Sequence, residues 1–145
     1  MSARTCAAVL VIVLAASRAY AGDADCSYFE VTATSAKDAT IDPELRPLEK
    51  KLKKPPFASW NAFHKMSGGA FALTKLKAES LHLARGAASV LLRDRHDTRI
   101  ELTLTVDGPD GKRVADTKPS VTAGDWLVLG TNTKDDGHIL AITCK

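Results

Sequence analysis

The most regular stretch of the chain is RIELTLTV, residues 99–106, where apolar and polar positions alternate without a break. Ile100, Leu102, Leu104 and Val106 share one face, and Arg99, Glu101, Thr103 and Thr105 share the other. A period of two predicts a half-buried β-strand. YFEVTAT, residues 28–34, has the same pattern, with Phe29, Val31 and Ala33 on the inner face and Tyr28, Glu30, Thr32 and Thr34 on the outer. Shorter strands are predicted at 70–75, 79–84, 89–95, 113–117, 126–129 and 138–144. Turn-prone pieces separate them: SGG at 67–69, RG at 85–86, DGPDGK at 107–112, AGD at 123–125 and TKDDG at 133–137. DGPDGK is a hairpin signal that returns 113–117 antiparallel to 99–106. Short strands at this spacing predict a mainly β fold, an antiparallel sandwich of roughly seven to nine strands.

One segment departs from the period of two. IDPELRPLEKKLKK, residues 41–54, sets Leu45, Leu48 and Leu52 at i, i+3 and i+7, one apolar stripe on a helix. The spacing predicts a short amphipathic helix over about 43–54, near the N-terminus of the domain. Asp42 and Pro43 suit its start, with Pro47 an alternative first residue. Lys50, Lys51, Lys53 and Lys54 fall in the last turn, where cations complement the helix dipole. Pro55 and Pro56 stop it. Phe57, Trp60 and Phe63 follow at three-residue spacing and are expected to re-enter the core. The alternative is a basic and aromatic surface, made by Lys50, Lys51, Lys53, Lys54, Trp60 and Phe63, for an anionic membrane or polyanion.

Before the first strand, Arg4 precedes AAVLVIVLAA, residues 7–16, and SRAYA follows with Ala19 and Ala21 in small-x-small positions. This is the pattern of a signal peptide cleaved between Ala21 and Gly22, which predicts export to the periplasm or the exterior. The apolar run is too short to span a bilayer. The chain carries 20 Lys+Arg against 17 Asp+Glu, for +3. Losing Arg4 and Arg18 with residues 1–21 leaves 18 against 17, so the mature domain, residues 22–145, is close to neutral. Balanced charge gives no reason to expect a nucleic-acid partner. Its length suits a single domain.

Cys6 leaves with the signal, and Cys26 and Cys144 remain near the two ends of the domain. An even pair in an oxidising compartment predicts a disulfide. It is coherent with first and last strands that run antiparallel as neighbours.

The residues offer little catalytic chemistry. His64, His82, His96 and His138 are scattered and read as surface histidines, with no two at i, i+2 or i, i+4. Asp135, Asp136 and His138 lack the ligand series of a calcium loop. There is no G-x-S-x-G elbow, and SGGAF lacks the context of a phosphate loop. No catalytic residue, cofactor site or metal site is assigned.

FEVTATSA, IDPELRPLEKKLKK, PPFASWNAFHKM and GDWLVLGTNTKDDGHILAIT together resemble an uncharacterised family of small exported bacterial all-β proteins. In that family paired glycines stand where this chain has Gly130-Thr131. The resemblance implies an all-β periplasmic or secreted domain with one helix, and carries over no active residue. The leading expectation is thus a non-enzymatic exported module acting through protein partners. Binding of an anionic surface is the alternative, and a small hydrolase with an unrecognised site stands third.

Overall fold

A computed structural model describes residues 23–132 and 136–145, so the expected signal sequence lies outside the described residues. Among these residues ten strands form two five-stranded sheets. The first sheet contains β1 (Ala24–Thr34), β2 (Thr40–Ile41), β3 (Ala62–Leu73), β9 (Trp126–Asn132) and β10 (Gly137–Cys144), in the order β2-β3-β1-β10-β9. The second contains β4 (Ala78–Leu83), β5 (Gly86–His96), β6 (Arg99–Asp107), β7 (Arg113–Thr117) and β8 (Ser120–Thr122), in the order β4-β5-β6-β7, with β8 also on β6. Among the described strands only β2, against β3, runs parallel to its neighbour. The chain is the mainly β sandwich that the alternation predicts. The strands beyond the expected number are β2 and β8, of two and three residues, too short to show a period.

β1 and β10 pair antiparallel in the middle of the first sheet, with Cys26 directly opposite Cys144. The two cysteines form a disulfide, with Cα atoms 4.1 Å apart. Beside it, the backbones of Asp25 and Lys145 exchange two hydrogen bonds, at 3.0 and 2.9 Å.

The first sheet is covered on both faces. One face packs on the second sheet, where Ala24, Cys26, Leu73, Leu140 and Ile142 meet Val90, Leu92, Leu102 and Leu104. The other is covered by the segment between β2 and β3, where Leu45, Leu48, Leu52 and Phe57 pack on Val31, Ala33, Phe63, Ile139 and Ala141. The molecule therefore has three layers. β10 is central and buried on both sides, which is why HILAITC is nearly all apolar where RIELTLTV alternates.

The covering segment is less helical than the leucine spacing predicts. It is a 3₁₀ helix over Pro43–Leu48, then one α-turn, α1 (Glu49–Leu52), then a 3₁₀ turn over Phe57–Ser59. Pro47 lies inside the first piece and lacks the N–H that an α-helical ladder would use. The segment follows β1 and β2, so it is an internal connection rather than an N-terminal element. Its leucines still share one face, and Leu45, Leu48 and Leu52 are buried. Complete burial of each is worth about 1.5–3 kcal/mol.

SGG at 67–69 is not a turn. It lies within β3, which begins at Ala62 rather than near residue 70. Gly68 pairs with Phe29 and Gly69 with Tyr28 across the ladder. A Cβ on Gly68 would stand 3.1 Å from Phe29 Cδ1 and one on Gly69 3.2 Å from Tyr28 Cε1, so the missing side chains accommodate the two aromatic neighbours.

Candidate functional site

The basic and aromatic segment divides when folded. Lys50, Lys51, Lys53 and Lys54 are all exposed. Lys53 pairs with Glu49 at 2.9 Å. Phe63 is 6% exposed and belongs to the core under the helical layer. Burial removes it from the surface that the anionic-binding alternative requires. Trp60 is half-buried, and its ring covers Gly137: a Cβ there would lie 2.7 Å from Trp60 Cζ2. Phe57 covers Gly130 in the same manner, at 2.7 Å from Cε1. The two glycines that bound the last hairpin are thus seats for two aromatic rings, and these aromatics are chiefly architecture. Ile41, Leu52, Trp60 and Phe63 line a groove of about 510 Å³, where the one lining lysine is Lys53, already committed to Glu49.

A second site was not anticipated. Glu30 lies on the outer, polar set of β1 by alternation, yet it is 0% exposed. Its face of the sheet is the one that meets the second sheet. Four donors reach its carboxylate. Oε1 accepts from the Ser67 hydroxyl at 2.7 Å and from Ala84 N–H at 2.6 Å. Oε2 accepts from Arg85 N–H at 3.0 Å and from His138 Nε2 at 2.7 Å. Ser67 comes from β3, His138 from β10, and Ala84 and Arg85 from the β4–β5 turn, so one side chain ties three strands of the first sheet to the second. The turn closes at Gly86, whose φ of +109° favours glycine. Burial pushes the Glu30 carboxyl up. The bonds from Ser67, Ala84, Arg85 and His138 outweigh it and hold the group below its ordinary value.

His138 departs from expectation too. It is 7% exposed rather than on the surface, because it lies on the inter-sheet face of β10 where Glu30 awaits its Nε2. Periodicity could not have found this pair, since a polar residue in an alternating strand has the same signature whether it meets water or a buried partner. The arrangement is not a hydrolytic triad. The Ser67 hydroxyl donates to the carboxylate instead of the imidazole, so the histidine does not activate it.

His138 also lines a lateral cleft of about 470 Å³ together with Arg85, Gly108, Pro109, Val114, Gly130 and Thr131. The cleft opens between β7 of one sheet and β9 of the other. Val114 is 49% exposed there. Leu127 and Leu129 of β9 and Ala115 of β7 are only partly buried against the inter-sheet core. β9 ends its sheet and has no strand on its outer side among the described residues. Trp126–Asn132 contains neither a charge nor a proline, whereas β4 carries Glu79 and β7 carries Arg113 and Asp116.

The remaining histidines have local roles. His64 Nδ1 lies 3.1 Å from Asp42, whose carboxyl is held below its usual range first by the Lys65 N–H and then by His64. His82 is exposed on β4. His96 joins Asp94 and Glu101 in a group whose ligand atoms lie within 4.8 Å of one another. Asp94 is bonded to Lys75 at 3.0 Å and to His96 at 2.9 Å, and Arg99 stands 3.3 Å from Glu101. Cations already answer both carboxylates, so this is a surface ion-pair network. Among the described residues no helix is long and apolar enough to cross a membrane.

Comparison with family models, with curated proteins and with solved structures finds no match for the chain.

Proposed function

We propose that this chain is an exported, non-enzymatic interaction module that binds a protein partner by taking an extended segment of it as an additional strand on β9. One observation carries the reading: β9 is an uncharged, apolar edge strand with no strand on its outer side among the described residues, next to a cleft into the core. Edges of this kind are templates for strand pairing, and proteins usually blunt them with charges or proline. Main-chain hydrogen bonds would supply affinity, and alternate side chains entering the cleft would supply selectivity. The disulfide is compatible with an oxidising compartment, and cleavage between Ala21 and Gly22 would deliver the domain there.

Selection from a random library of twelve-residue peptides tests the reading. Bound peptides should slow amide hydrogen exchange across 126–132 and leave β4 and β7 unchanged. Selected peptides that protect another edge, or a library that yields no binder, would overturn it.

Four exposed lysines favour a second reading, adhesion to an anionic surface through Lys50, Lys51, Lys53 and Lys54. With Phe63 buried, it would rest on charge and on half-buried Trp60. Retention on anionic vesicles should then vanish when the four lysines become glutamine, and unchanged retention counts against it.

A further inference from the structure

We propose that the cleft between β7 and β9 receives a carboxylate of the bound segment on Arg85. The inference rests on strand addition at β9 and specifies the partner's chemistry. Arg85 is half-buried in the β4–β5 turn and lines the cleft with Gly130 and Thr131, at the far end of β9. Its backbone N–H is bonded to Glu30, but its guanidinium has no hydrogen-bond or ion-pair partner among the described residues. The other arginines of the second sheet are all engaged. Arg93 donates to the Leu102 carbonyl, Arg95 to those of Asp97 and Asp23, Arg99 to Ser120, and Arg113 to Asp107. A cation held partly out of water with five unused donors calls for a planar anion, and a carboxylate matches its fork.

The lining supports the same sign of charge. Among the described residues it includes no carboxylate, and the remaining walls are Gly108, Pro109, Val114, Gly130, Thr131 and the His138 ring. Glu30 lies beneath His138, but it is wholly covered and four donors occupy its oxygens, so a ligand meets the imidazole and the guanidinium. Apolar Val114 and Pro109 would take a neighbouring side chain.

Geometry allows two sources for the carboxylate. A segment parallel to β9 would bring its own C-terminus to Arg85. An antiparallel segment would bring an Asp or Glu side chain near its beginning.

The experiment uses peptides selected from the twelve-residue library, presented with free C-termini to the whole chain with its disulfide formed. Each is remade as the C-terminal amide, and separately with every Asp or Glu changed to Asn or Gln. One of the two changes should weaken binding about tenfold or more, and which one does identifies the source. Arg85→Gln should weaken the unmodified peptide equally and abolish its advantage over the neutral copy, while Arg85→Lys should retain part of it. Thermal unfolding of both variants checks that the turn still folds. Peptides that protect 126–132 but bind equally with and without the carboxylate, or equally to Arg85→Gln, would overturn the inference and leave strand addition standing. Failure to select any peptide for β9 would overturn both.

Discussion

At the scale of single residues, Glu30 links the two sheets by accepting from the Ala84 and Arg85 N–H groups of the β4–β5 turn. Its ordinary pKa is 4.5, and the folded value is lower. A depressed carboxylate contributes stability that is fully present above the unfolded value and is lost as pH falls through the folded one. Acid unfolding should therefore set in below about pH 4.5. Asp42, Glu49 and Asp94 are also held low, but they are exposed or half-exposed and contribute a screened background. Glu30→Gln isolates the buried contribution. An amide keeps one acceptor and turns its NH₂ toward groups that donate, leaving buried donors unpaired at a cost of about 2–4 kcal/mol. Denaturant titrations should show that loss at pH 7 and a smaller gap between wild type and variant at pH 3. A constant gap would mean that the carboxylate's ionisation does not hold the sheets together. None of this was legible in YFEVTAT. Alternation places Glu30 on one side of β1 correctly, but it cannot say that this side faces a second sheet. His138 was hidden for the same reason. Only the unbroken apolar run after it hints that β10 is covered on both faces.

At the scale of elements, legibility followed periodicity. β6, β7 and the hairpin between them lie where alternation and DGPDGK put them. The same method misread SGG in β3, because glycine marks both a turn and a place where a neighbour approaches closely. It also overstated the helix. Four residues of α-helix flanked by 3₁₀ turns have little intrinsic stability, and packing of Leu45, Leu48 and Leu52 must hold them. Leu48→Ala should therefore cost about 2–5 kcal/mol, measured by thermal or denaturant unfolding. Gly137→Ala addresses the aromatic seats. Its methyl would meet the Trp60 ring at 2.7–2.9 Å, which forces the indole outward and should cost about 1–3 kcal/mol. Trp60 should become more accessible to iodide quenching in that variant. Unchanged quenching and stability would show that the ring does not need the glycine. Lys50, Lys51 and Lys54 touch none of these contacts, so changing them to glutamine should leave stability within about 0.5 kcal/mol.

At the scale of the whole molecule, the first and last described strands are neighbours. β1 and β10 meet in the middle of one sheet with Cys26 and Cys144 in register, so pairing them closes almost the entire domain into a loop. The spacing of two cysteines near opposite ends made the bridge legible; the register that makes it a direct cross-strand link was not. Contacts between chain ends are the last to be rewarded during folding, since loop closure must come first. In the chain-entropy model a bridge across a loop of this size stabilises by about 4–5 kcal/mol, because it restricts the unfolded chain. Thiol titration of a denatured chain of residues 22–145 without reductant should find no free thiol; two per chain would refute the bridge. Cys26→Ala with Cys144→Ala should lower the denaturant midpoint and slow refolding, because the oxidised unfolded chain already holds β1 and β10 together. The first-sheet ladder pairs all of β10 with Cys26–Ala33 of β1, so the double variant should retain its native far-ultraviolet spectrum below its transition. A spectrum without β-structure would instead make the disulfide a condition of folding, and a variant as stable as the oxidised protein would remove the loop-closure account altogether.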